Sequence, residues 1–179
     1  MNKIFLAGLL LASFALPAAA VLKAGDKAPM FSTQASLAGK EFTYSLADTL
    51  KKGPVILYFY PAAFTEGCSI EARAFAEAVD EYKTLGATVV GVSNDRIETL
   101  NKFSVAACGS KFAVAADTDQ KIMKSYDAVM LYKTQFANRA SYVISPEGQV
   151  IYVYSSLDPS LHVENTMNAL RKWAAGKPK

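Results

Sequence analysis

Cysteine is scarce in this chain, with only Cys68 and Cys108 among 179 residues. The two stand forty positions apart. There is therefore no Cys-x-x-Cys pair, the arrangement in which two thiols exchange disulfides directly with a protein substrate. Histidine is scarcer still. His162 is alone, at the start of an expected helix and distant from Cys68 in sequence, and it reads as a structural or solvent-facing residue rather than a catalytic base. Clustered charge is also missing. Nineteen Lys and Arg against 16 Asp and Glu leave a net charge of +3, dispersed without the basic stripe that nucleic-acid binding requires. The sequence has no internal repeat and no low-complexity segment.

Hydrophobic residues make up 51% of the chain, ample for one compact domain at a length too short for two. Part of that share stands outside the expected fold. Met1-Asn2-Lys3, an apolar run from Ile4 to Leu16, and the small residues Ala18-Ala19-Ala20 form the pattern of a signal peptide cleaved after Ala20. The run is shorter than the roughly 20 residues that span a bilayer, which favours removal over anchoring. The expectation is a signal peptide over 1–20 and a single domain over 21–179, exported, most simply to a bacterial periplasm, without membrane insertion after cleavage.

Periodicity gives the order of elements. Ser32–Leu37 and Glu41–Leu46, around Ala38-Gly39-Lys40, read as an N-terminal hairpin. Val55–Tyr60 reads as a buried strand ended by Pro61, followed by a helix over Ser69–Leu85 with Phe75, Val79 and Tyr82 at helical spacing. A second strand over Ala87–Ser93 leads through Asn94-Asp95 to a helix carrying Ile97, Leu100, Phe103 and Cys108. A short strand over Phe112–Ala116 precedes a cap at Asp117-Thr118-Asp119, a helix over Gln120–Ala128 and an irregular loop over Val129–Asn138. Ala140–Ser145 and Gln149–Ser155 form a hairpin through Pro146-Glu147-Gly148, and a helix over Leu161–Ala175 closes the chain. Strand–helix units followed by a hairpin and a helix predict a central mixed β-sheet flanked by helices, a three-layer α/β/α sandwich. Tyr132, Phe136 and Trp173 are expected to pack or to line a substrate-gating loop.

The chemistry concentrates in Pro61-x-x-x-Thr65-x-x-Cys68. A strand, a proline stop and a short loop deliver a thiol to a helix N-terminus, where unpaired N–H groups and the positive end of the helix dipole favour an anionic sulfur. Thr65 can set its hydroxyl beside that sulfur as a donor or relay, and Pro61, lacking an N–H, shapes a pocket partly shielded from water. A capping threonine, a strand-ending proline and an inert buried cysteine explain each residue singly. Their joint spacing favours a nucleophile.

The stretch Phe59-Tyr60-Pro61-Ala62-Ala63-Phe64-Thr65-Glu66-Gly67-Cys68-Ser69-Ile70-Glu71 resembles the active-site signature of the peroxiredoxins, in particular the peroxiredoxin Q or bacterioferritin comigratory protein group. Similarity continues through Gly25-Asp26-Lys27-Ala28-Pro29, Gly91-Val92-Ser93 and Arg139–Gly148. The resemblance implies a thioredoxin-like fold and reduction of hydrogen peroxide or organic hydroperoxides at a cysteine, without metal or organic cofactor. It also implies that Arg139 is the cation beside Cys68, polarising the peroxide, and that Glu71 holds Arg139 or else is an acidic residue favoured near a helix N-terminus. Cys68 would become a sulfenic acid, to be met by a second thiol. Many members of the group place that thiol five residues after the first, where this chain has Arg73, and there is no cysteine near the C-terminus. Cys108 is left as the candidate resolving cysteine, against a role as a small core hydrophobe. A thiol reductant is implied as partner, whether a thioredoxin-like protein, a glutaredoxin or a small thiol, and a monomer or weak dimer is expected. An exported thiol-disulfide oxidoreductase or redox-sensing protein on the same fold is the alternative, disfavoured by threonine at the position where Cys-x-x-Cys has its first thiol.

Overall fold

The structure, a computed structural model, describes residues 22–176; the expected signal peptide lies outside the described residues. Seven strands form one sheet in the order β2-β1-β5-β4-β3-β6-β7. The chain enters through the hairpin of β1 (Ser32–Leu37) and β2 (Lys40–Ser45), whose turn places Ala38 and Gly39 at positive φ. Val55–Phe59 forms β3, followed by α2 (Glu66–Thr84), β4 (Thr88–Ser93), α3 (Ile97–Ala106) and β5 (Ala113–Ala116). These strands run parallel, each joined to the next by a helical crossover. After α4 (Lys121–Ser125), β6 (Ala140–Ile144) returns antiparallel to β3, β7 (Val150–Ser155) forms the edge, and α5 (His162–Ala175) closes the fold.

Strand β3 is buried along its whole length because it feeds two cores. Val55, Leu57 and Phe59 face one core, shared with Leu46, Leu50, Ile122 and Met123. Ile56, Tyr58 and Tyr60 face the other, shared with Phe75, Val79, Leu100, Phe103, Met167 and Leu170. The sandwich therefore has three layers, with α2, α3 and α5 over one face of the sheet and two short helices over the other.

Several boundaries differ from the sequence expectation. The five-residue helix α1 (Leu46–Leu50), capped by the Ser45 hydroxyl, was not expected; it is too short to show a helical period. Helix α2 begins at Glu66 rather than Ser69, so Cys68 lies inside its first turn. Helix α3 starts at Ile97 and ends at Ala106, which puts Cys108 in the turn after it. The fourth helix covers only Lys121–Ser125, with Gln120 left-handed at its cap and the Asp117 carboxylate accepting from the Ile122 and Met123 N–H groups. The expected capping role of Asp117 holds.

Gly91 shows how tightly the second core is filled. It pairs with Tyr58 across β3 and β4, and a Cβ on it would lie 2.7 Å from Cζ of that ring, which is itself stacked on Phe75 at 4.4 Å between centroids. Gly91→Ala is expected to lower unfolding free energy by about 1–3 kcal/mol through overpacking, read as a lower denaturant midpoint at unchanged slope.

Candidate active site

The Tyr60 N–H donates the last bond of β3 to the Val92 carbonyl, and Pro61 then ends the strand. The loop that follows is tied down. The Ala63 N–H donates to Oδ2 of Asp95 at 2.7 Å, and the Ser93 hydroxyl donates to the same oxygen at 2.8 Å, anchoring the loop to the end of β4. Phe64 adopts φ 65°, a left-handed conformation costly for a bulky side chain, and packs edge-on against Phe103 of α3 at 5.3 Å. The first bond of α2 runs from the Ser69 N–H to the Thr65 carbonyl, which leaves the N–H groups of the first turn directed out of the helix start around Cys68.

Arg139 reaches this turn from the other side. The antiparallel register pairs Phe59 with Ala140, so the residue before β6 falls beside the loop that leaves β3. Its guanidinium is shared among three partners. Nη2 donates to Cys68 Sγ at 3.6 Å, Nη1 is hydrogen-bonded to Glu71 Oε2, and Nε donates to the Leu157 carbonyl at 2.9 Å. All of this is out of solvent, with Cys68 1%, Arg139 5% and Glu71 0% exposed. Cys68 and Glu71 share a helix face because they are three residues apart, and a single planar fork spans them.

The electrostatics are asymmetric. Burial works against the Arg139 charge, but Glu71 and Cys68 outweigh it and raise the arginine further, so it is permanently cationic. Burial pushes the Glu71 carboxyl up to about 7 in spite of the Arg139 ion pair. The two partners thus differ in how well the site holds their charges, and Glu71 is the one that yields a proton-binding site near neutrality. Beyond it lies His162, fully buried, with Nδ1 3.5 Å from Glu71 Oε1. The sequence suggested a structural or solvent-facing histidine distant from Cys68 in sequence; the fold buries it against Glu71, the partner of Arg139.

Thr65 stands at the helix cap without a capping bond, and its hydroxyl donates to the Ala62 carbonyl at 3.0 Å rather than to the sulfur. Pro61 is half-buried at the head of the same loop. Cys108 is fully buried, in the same core as Cys68, and both cysteines are free thiols. Burial pushes the Cys108 thiol up to about 12. Asp95 and His162 were not placed at the site by the sequence reading, and Gly67 was read only as part of the signature; a Cβ there would meet Arg139 Nη2 at 3.2 Å. Only the glycine gave a local signal, its place beside the thiol. A cavity of about 680 Å³ between β7 and α5, lined by Ile151, Tyr152, Ala169 and Trp173, holds none of these groups.

Comparison with known proteins gives a consistent picture. Residues 24–153 match the AhpC/TSA family. YkuU of Bacillus subtilis (strain 168) is 35% identical over 136 residues, 72% of this chain and 75% of that protein. Peroxiredoxin Bcp of Escherichia coli (strain K12) is 29% identical over 158 residues, 86% of this chain and 98% of that protein. The crystal structure of peroxidoxin BcpB from Mycobacterium tuberculosis superposes with a TM-score of 0.77 at 27% identity, covering 88% of this chain and 99% of that one. Reduced 2-Cys peroxiredoxin from Plasmodium vivax, at 22% identity and a TM-score of 0.76, shares the fold.

Two substitutions separate the guanidinium's charge from its shape. Arg139→Lys keeps the charge but cannot reach sulfur, carboxylate and carbonyl at once, and the rate of peroxide reaction is expected to fall on the order of 10²-fold. Gly67→Ala pushes Nη2 away from Sγ while leaving the arginine in place, and a smaller loss in the same stopped-flow rate is expected. A Gly67→Ala rate equal to wild type would show that the Nη2–Sγ contact is not used.

Proposed function

The chain belongs to the AhpC/TSA family, and from that membership we propose that it is a thiol peroxidase whose peroxide-reactive group is the Cys68 thiolate. The observation that carries this reading is the buried fork of Arg139, one arm on Cys68 Sγ and one on Glu71, at the open start of α2. Attack by the sulfur on the terminal peroxide oxygen breaks the O–O bond and forms the S–O bond. Negative charge passes to the leaving oxygen, toward which Arg139 Nη2 and the first-turn N–H groups are directed. With its proton committed to Ala62, the Thr65 oxygen keeps lone pairs free to accept from the peroxide O–H and orient it. Pro61 offers no donor to compete for the oxidant. The peroxide leaves as water or alcohol, Cys68 becomes a sulfenic acid, and no metal or organic cofactor enters any step.

Cys108 is the resolving cysteine in this reading. Its thiol must reach Cys68 so that an S–S bond forms and water leaves, and it must ionise to attack. Fully buried in the reduced fold, it does neither there. Resolution therefore follows opening of the first turn of α2 and of the turn around Cys108, with Phe64 released from Phe103 as the two part. A thioredoxin-type protein, a glutaredoxin or a small thiol then reduces the disulfide. Export to a periplasm is part of the proposal and rests on the composition of residues 1–20 alone. No specific observation favours disulfide exchange with proteins, since Thr65 and Cys68 offer only one sulfur.

Cys68→Ser is expected to abolish peroxide consumption with the fold retained, and turnover near wild type would overturn the assignment. Cys108→Ser is expected to keep the first step, to accumulate sulfenic acid at Cys68, and to inactivate faster under excess peroxide as sulfinic acid forms. Peptide mapping after one equivalent of peroxide checks this. A free Cys108 in the oxidised wild type would move the second thiol to a partner.

A further inference from the structure

The row of buried groups does not stop at Glu71. His162 Nε2 lies 2.9 Å from the Ser156 carbonyl, which can only accept, so Nε2 carries the proton of the neutral ring. Nδ1 then presents a lone pair, and the Ser141 hydroxyl at 2.8 Å donates to it. On the same side stands Glu71 Oε1 at 3.5 Å, buried and without any hydrogen bond. The single lone pair of Nδ1 is met by the Ser141 proton, so neither Nδ1 nor Ser141 has a proton to give an ionised Oε1. One proton, on either atom, converts this contact from repulsive to attractive.

Charge counting points the same way. With Cys68 as a thiol, Arg139 and Glu71 cancel. When the sulfur ionises, an ionised Glu71 leaves the buried cluster with one excess negative charge, and Arg139 divides between two anions. A proton on the Glu71–His162 contact restores neutrality and gives the guanidinium to the sulfur alone.

We propose that His162 is a positioning residue which, with Glu71, holds one proton while Cys68 is a thiolate and gives it up when the sulfur is oxidised. The inference rests on the peroxide-reactive role of Cys68. Its balance is closed: the thiol loses a proton as the pair gains one, and on oxidation the pair releases one as the departing alkoxide or hydroxide takes one up. The two sites exchange charge through Arg139, and the protons need not be the same. The groups facing the pair are Arg139 before β6, Cys68 on α2, Tyr58 on β3, Ser141 on β6, the Tyr154 ring of β7 at 4.8 Å from the imidazole, and Asp158 in the loop before α5. Burial, foremost, and Arg139 hold an isolated His162 below the usual histidine range, while burial lifts Glu71. The pair titrates as a unit rather than as two residues.

Because His162 is the sole histidine, its ring nitrogens report without ambiguity. Nitrogen-15 spectra of the reduced protein and of Cys68→Ser are recorded against pH. The midpoint seen at Nδ1 is expected to lie about one unit higher in the protein with the thiolate, since the serine variant lacks the charge that retains the proton. Superimposable curves would overturn the proposal. The second measurement is the ultraviolet thiolate absorbance of Cys68 against pH. His162→Asn sets an amide N–H where Nδ1 was, donates to Oε1 and keeps Glu71 ionised, so thiolate formation is expected to move up by about one unit. In a Glu71→Gln background, where the carboxylate is gone, the same change is expected to move nothing. An equal shift in both backgrounds, or none in either, would mark His162 as purely structural. Neither readout uses peroxide, so the pair is tested whether or not the protein turns peroxide over.

Discussion

The buried guanidinium of Arg139 is the constraint on which this structure turns. Taking a cation out of water costs several kcal/mol unless its donors are met and its charge is balanced. Here every arm is met: sulfur, carboxylate and a backbone carbonyl take Nη2, Nη1 and Nε. The main chain of Arg139 is fixed as well, its N–H on the Asn138 side chain and its carbonyl accepting from the Ser156 N–H. Such a group cannot drift. A sulfur placed beside it experiences a fixed positive charge in a medium that screens poorly, which gives an otherwise ordinary helix N-terminus its chemical direction.

Holding that arrangement explains the mixed sheet. Strand β3 lies between the two halves of the site, with parallel β4 on one side and antiparallel β6 on the other. The loop leaving β3 carries the thiol, and the antiparallel neighbour begins where that loop starts, so Arg139 arrives without any long excursion. Asp95, at the end of β4, fixes the loop from the opposite flank. Local strain at Phe64 is what this convergence costs, and the two-sided burial of β3 offsets it.

Much of this was legible in the sequence, because the signals involved are local. An unbroken apolar run marked β3, a proline marked its end, and the spacing of Pro61, Thr65 and Cys68 marked the loop and helix start. Arg139 and Glu71 required family resemblance, since nothing near either residue reveals a partner 68 positions away. Of the two roles expected for His162, structural or solvent-facing, the fold leaves the buried, structural one. A polar residue opening a helix looks exposed, and only the packing of α5 against β6 and β7 shows that its ring enters the site. Helix α2 starting at Glu66 also escaped, as Thr65 caps it by backbone geometry without the side-chain bond that makes such a start readable. The position of Cys108 just beyond α3 depended on where that helix ends, and ends are set by tertiary contacts as much as by propensity.

Burial restrains the second sulfur, pushing the Cys108 thiol up to about 12. Cys68 and Cys108 belong to one core, with the rings of Tyr58, Tyr60, Phe75 and Phe103 filling the space around them. Dense packing leaves Cys68 1% exposed and keeps bulky groups from its sulfur in this conformation. In the proposed cycle, however, that packing must open before a sulfenic acid at Cys68 meets the buried Cys108 thiol. On the proposed cycle, the free energy of opening α2 and the Cys108 turn enters the lifetime of the sulfenic acid alongside the sulfur chemistry. A tighter core would lengthen exposure to a second peroxide, and a looser one would blur the placement of Sγ against Arg139. The contact between Phe64 and Phe103 sits at that balance: it joins the active-site loop to α3, it is held by a strained backbone, and half of the Phe64 ring is already in solvent. On the proposed mechanism, a link of this kind orders the reduced site and is the first to release when the sulfur acquires an oxygen.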